Sequence, residues 1–137
     1  MRRNRRQSLA LREEARALVH ARLAYFAPRC GVVVRKVFIK NHKSRWGSCS
    51  TKGNLNFNYK IVLLPPEVAD YIIVHELCHL REFNHSVRFW ALVAEVVPNH
   101  LAVRRHLRQL ERAAMRPPLR VVQKKRLSLL RFFSKKG

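Results

Sequence analysis

The sequence predicts an α+β domain organised around one metal-bearing helix, and three observations carry that prediction. Apolar residues keep helical spacing at the start of the chain and again after residue 65. Between these stretches lie a β-branched run at residues 32–39 and a segment, Asn54 to Tyr59, that alternates strictly between polar and apolar. Within the first of the later helices falls His75-Glu76-Leu77-Cys78-His79, with His85 six residues beyond.

Leu9, Leu11, Ala15, Leu18, Val19, Leu23 and Phe26 place an amphipathic helix over residues 8–27, and Pro28 is expected to stop it. Gly31 then allows a turn into the strand at residues 32–39, after which residues 41–44 form a polar loop. Arg45 to Ser50 and Asn54 to Tyr59 read as the arms of a hairpin about Thr51-Lys52-Gly53. On the second arm Leu55, Phe57 and Tyr59 share one face and three asparagines the other. An edge of this hairpin could align an extended peptide by backbone hydrogen bonds. The plainer reading makes Trp46 core filler and the asparagines solvated.

Pro65 and Pro66, followed by Glu67 and Asp70, suit a helix entrance with its positive end. Val68, Ile72, Ile73, Leu77 and Leu80 then recur at helical spacing, so the His-Glu motif lies mid-helix. Arg81 to Asn84 must turn the chain, and Asn84 is expected to take a left-handed conformation or to cap the next helix. Val87, Trp90, Ala91, Val93, Ala94 and Val97 mark that helix, which Pro98 ends or kinks. A basic helix follows to Met115; His100 and His106 on it lack partner spacing and read as surface residues. Pro117-Pro118 sets a boundary between a domain at residues 1–115 and a basic, partly apolar tail at residues 116–137.

Two histidines four residues apart on a helix project from one face about one turn apart, which makes a two-fingered metal grip. Glu76 follows the first of them and so stands beside the ion, where a carboxylate can deprotonate water. A third ligand has to come from outside the helix, and His85, at the entrance of the next one, is placed for it. His75, His79 and His85 are therefore the candidate zinc ligands and Glu76 the candidate catalytic base. Arg45, Tyr59 and Tyr71 are candidate oxyanion donors, and Asp70 and Glu95 candidate carboxylates to orient the histidines.

Charge is the second strong signal. Lys and Arg number 29 against 8 Asp and Glu, a net +21, and residues 15–66 and 112–137 contain no acid at all. Such a balance predicts attraction to polyanions, above all non-specific contact with nucleic acid. The tail could meet an acidic partner or an anionic membrane surface. No apolar run reaches the roughly 18 residues of a membrane span, and the arginine-rich N-terminus lacks the apolar core of a signal peptide. Three cysteines without a C-x-x-C pair suggest buried thiols in a reducing compartment, so the chain reads as cytoplasmic. There are no internal repeats and no glycine-rich phosphate loop.

Ser44-Arg45-Trp46-Gly47-Ser48-Cys49-Ser50, Leu64-Pro65-Pro66-Glu67, His75-Glu76-Leu77-Cys78-His79-Leu80, and Asn84-His85-Ser86 with Phe89-Trp90 together resemble the YgjP-like zinc metallopeptidases, relatives of the SprT-like and WLM proteases. The likeness covers about residues 32–100. It implies a compact zincin fold, a small sheet packed on helices, and hydrolysis of peptide or protein substrates, with Glu76 as base and His75, His79 and His85 on the zinc. By analogy with the SprT-like relatives, substrates would include nucleic-acid-associated proteins. Two other functions use the same residues: a nucleic-acid-binding module with a structural zinc, for which Glu76 would be superfluous, and a zinc hydrolase of non-peptide amides or esters.

Overall fold

The computed structural model describes residues 2–115; the expected tail at residues 116–137 lies outside the described residues. Helix α1 (Arg2–Cys30) leads into strand β1 (Lys36–Lys40), the hairpin strands β2 (Gly47–Cys49) and β3 (Asn54–Asn58), and a 3₁₀ turn at Tyr59–Leu63. Helices α2 (Pro66–His79), α3 (Val87–Val96) and α4 (His100–Leu110) follow, the last running on into a π-helical turn at Glu111–Met115. The expected α+β architecture is present, a three-stranded sheet packed on helices. No helix among the described residues is long and apolar enough to cross a membrane.

Helix α1 is longer than its apolar pattern at both ends, and Pro28 does not stop it. A proline in the last turn removes one backbone donor without breaking what precedes it, and Arg29 Nη1 donates to the Tyr25 carbonyl at 2.6 Å nearby. Gly31 ends the helix instead. With φ at 68°, Gly31 donates its N–H to Pro28 O and Val32 donates to Ala27 O, a paired closure that needs the left-handed conformation glycine adopts freely. Because Val32 is spent on this closure, β1 starts only at Lys36, four residues later than the β-branched run suggests.

In the sheet the order is β1-β3-β2, with β1 parallel and β2 antiparallel to the central strand. The register puts Val37, Ile39, Leu55, Phe57, Gly47 and Cys49 on one face, and that face is the core side. Its alternation is the one read from the sequence, up to Phe57. Tyr59 departs from it, because the chain coils into the 3₁₀ turn there. The side chains of two of the asparagines are fixed by hydrogen bonds as well. Asn58 is buried, its Nδ2 donating to the carbonyls of His42 and Arg45 at 2.8 Å each and its Oδ1 accepting from Lys60 N. Asn56 Nδ2 donates to Ser48 Oγ. The β2 side chains are buried throughout, whereas exposed side chains on an edge strand belong to β1.

Helix α2 runs through the middle of the fold. Pro65 and Pro66 open it as expected, and eleven of its fourteen residues are buried, too many for one stripe. Ala69, Tyr71, Val74 and Cys78 lie inward beside the predicted apolar set, so α1, the sheet, α3 and α4 surround α2. Each fully buried Ile, Val or Leu there contributes about 1.5–3 kcal/mol relative to exposure. Arg22 of α1 clamps Asp70 of α2 in a bidentate pair at 2.8 and 3.0 Å.

Candidate metal centre

His75 and His79 lie on the buried length of α2, both fully shielded from solvent. After the helix ends, Arg81 and Glu82 donate back to the Cys78 carbonyl and the chain turns without any left-handed residue. Asn84 is not the cap of α3; that role falls to Ser86, whose Oγ accepts from Phe89 N at 3.3 Å. The hydroxyl of Ser86 reaches the first turn, while Asn84 stands two positions too early. His85, immediately before this cap, swings back over α2.

The three predicted ligands converge. Their ring centroids are 4.7, 4.8 and 5.1 Å apart, and one nitrogen from each ring lies within 4.8 Å of the others. The Nε2 atoms of His79 and His85 face each other at 3.0 Å. His79 Nδ1 lies 3.0 Å from the Glu82 carbonyl, which, as an acceptor, holds the proton on Nδ1 and leaves Nε2 as a lone pair. That carbonyl does for His79 what Asp70 or Glu95 was expected to do. Asp70 is occupied by Arg22, and Glu95 is exposed.

Glu76 is also fully buried, its Oε2 3.6 Å from His75 Nδ1. Gly47 of β2 rests against it so closely that a methyl group on Gly47 would lie 3.1 Å from Glu76 Cγ. Strand β2 is held in place by Trp46, itself buried, whose Nε1 donates to Glu111 Oε2 at 2.9 Å.

Aromatic rings complete the surroundings. Phe89 packs 4.9, 4.4 and 4.7 Å from the His75, His79 and His85 rings and forms an apolar backing, with Trp90 5.4 Å from His85. Sequence reasoning used Trp90 to mark the helix and both residues in the family motif but gave neither a role at the metal site, although their position just inside the helix that begins after His85 was the available signal. Of the three oxyanion candidates, Tyr71 lies against His75 at 5.9 Å, one turn before it on α2, and burial pushes its hydroxyl up to about 12. Tyr59 faces α1 instead, under the Arg12 guanidinium. Arg45 is half-buried, with its carbonyl taken by Asn58. His100 is no isolated surface residue: it stacks on Trp90 at 5.6 Å.

A buried helix carrying two imidazoles, joined by a third from the following loop, is the framework of a metallopeptidase. A solved structure supports that class: the crystal structure of the metallopeptidase zymogen of Pyrococcus abyssi abylysin superposes with a TM-score of 0.62 at 25% sequence identity, covering 74% of this chain and 99% of that one. The family model described as YgjP-like, metallopeptidase domain, matches residues 2–110, and the chain belongs to that family. No curated protein matches the chain.

Proposed function

We propose that this metallopeptidase is zinc-dependent, with His75, His79 and His85 holding the ion and Glu76 acting as general base. The observation that carries the reading is the convergence of three imidazole nitrogens within 4.8 Å, beside a fully buried carboxylate on the same helix. The donor set suits zinc, since three neutral nitrogens leave one corner of a tetrahedron open. Bonds of about 2.0 Å to such an ion separate neighbouring ligand atoms by about 3.3 Å, close to the 3.0 Å between the Nε2 atoms of His79 and His85.

Zinc, when bound, supplies a Lewis acid that polarises the scissile carbonyl and acidifies water. Glu76 moves the protons: its carboxylate takes one from the attacking water and delivers it to the departing amine. Gly47 and its strand limit where that carboxylate can swing. Among the three oxyanion candidates Tyr71 is favoured, because its ring lies against His75 at 5.9 Å. The net charge of +21 further directs the enzyme toward proteins associated with nucleic acid. Binding to duplex DNA that falls steeply as salt rises tests that part.

Metal analysis of the purified protein is expected to give about one zinc per chain. Glu76→Gln is expected to keep the metal and lose turnover by at least about 100-fold. Equal activity in that variant removes Glu76 from the mechanism.

A further inference from the structure

We propose that Trp90, His100 and Arg104 form a carboxylate-binding subsite beside the metal centre, so that the enzyme prefers peptides carrying a negative charge close to the cleaved bond. The proposal rests on the peptidase reading of the histidine triad and adds the chemistry of its substrate.

His100 and Arg104 are four residues apart in α4, so their side chains leave the same face of the helix. Both meet Trp90. The His100 ring stacks on the indole at 5.6 Å and 18°, and the Arg104 guanidinium carbon lies 5.2 Å from its centroid. The same indole is 5.4 Å from His85 and 6.0 Å from His75. One ring therefore joins the metal triad to a basic pair.

That pair has unmet hydrogen-bonding capacity. His100 Nδ1 and Arg104 Nε are buried, and neither has a hydrogen-bond partner among the described residues. Burial disfavours the charged form of both, and the Arg104 charge adds to the effect on His100; on Arg104 the neighbouring Tyr71 works the other way, and Arg108 adds to the effect of burial. The nearest acids in sequence do not answer them: Glu95 is exposed and Glu111 is engaged by Trp46. An anion that enters here gains a charge-assisted contact and relieves the crowding of positive charge.

On a peptide substrate the anion these donors suit is a carboxylate. Arg104 carries a planar guanidinium whose fork suits two carboxylate oxygens, and His100 adds a further nitrogen one helical turn away. Trp90 supplies an apolar wall for the adjoining methylene groups. The ring-to-ring steps from His85 to Trp90 and on to His100, 5.4 and 5.6 Å, put the pair at most about three residues of extended peptide, at roughly 3.3 Å each, from His85. The carboxylate is either an acidic side chain within that distance or the C-terminus of a short peptide.

The test compares matched fluorogenic peptides on the zinc-loaded full chain, Glu against Gln at each position within three residues of the cleaved bond, and free against amidated C-terminus. One acidic member should show about tenfold higher kcat/KM than its neutral twin, through KM; which pair shows it identifies the source of the carboxylate. Arg104→Gln and, separately, His100→Gln should bring that ratio toward one, and Arg104→Lys should restore part of it. Binding is read independently of hydrolysis by tryptophan fluorescence, titrating the Glu76→Gln protein with N-acetylglutamate and N-acetylglutamine. Preferential binding of the acid that Arg104→Gln removes upholds the subsite even where no peptide is cleaved, a result that overturns the peptidase reading alone. Equal rates for acidic and neutral peptides, equal binding of the two probes, or a preference that survives both substitutions overturns the subsite.

Discussion

Adding one methyl group to Gly47 should slow the enzyme without removing its metal. A side chain there meets the Asn56 carbonyl oxygen at 3.1 Å, Glu76 Cγ at 3.1 Å and Phe57 Cδ1 at 3.3 Å, all tighter than ordinary van der Waals contact. None of the three can retreat cheaply. The Asn56 carbonyl belongs to the central strand, and Phe57 and Glu76 are fully buried. Overpacking of this kind costs about 1–3 kcal/mol, and relief requires Glu76 to shift by several tenths of an ångström. Since a displacement of about 1 Å in a catalytic group can cost roughly 100-fold, Gly47→Ala should lower kcat by about tenfold while KM and zinc content stay near wild type. Urea denaturation, metal analysis and steady-state kinetics on the same preparation read the three effects. Wild-type kcat in a destabilised Gly47→Ala protein refutes the idea that β2 sets the position of Glu76, and unchanged stability refutes the packing argument itself.

Other perturbations probe the neighbouring supports. Ser86→Ala removes the α3 cap beside His85; we expect about 1 kcal/mol lower stability and weaker zinc retention against a chelator, and unchanged retention means that the cap does not hold the third ligand. Tyr71 holds its proton more tightly in the fold, to about 12, than the ordinary tyrosine value near 10. Its contribution is therefore fully present below about pH 10 and lost as pH rises through about 12, on the order of 3 kcal/mol in all. Ultraviolet titration should show a late tyrosine that Tyr71→Phe abolishes. A double-mutant cycle on Arg22 and Asp70, both partly exposed, should give a coupling of about 1 kcal/mol with zinc content unaffected; loss of zinc in Asp70→Asn would return Asp70 to the metal site.

The histidine cluster was legible because its relation is mostly local. His75 and His79 owe their shared face to helical period alone, and His85 lies within one short turn of them. The hairpin was legible for the same reason, with Gly53 at its turn. Parallel pairing of β1 with β3 was not, since nothing in a short strand states which distant strand it will join. Nor could composition tell that Asn58 is buried and triply bonded. Asp70 carries the charge expected of an orienting carboxylate, and only the packing of α1 against α2 reveals that Arg22 claims it. His100 and Gly47 repeat the lesson: each acquires meaning from a residue of another element, Trp90 in one case and Glu76 in the other.

The bond between Trp46 and Glu111 reaches across 65 residues of chain. It fixes how far this protein can be shortened from its C-terminal side: a version trimmed at residue 110, where the family match stops, would lose the carboxylate that anchors the indole next to Gly47. A shortened enzyme is therefore expected to need Glu111, and a protease that nicked the chain just ahead of it should loosen the strand against Glu76 without touching any of the three histidines.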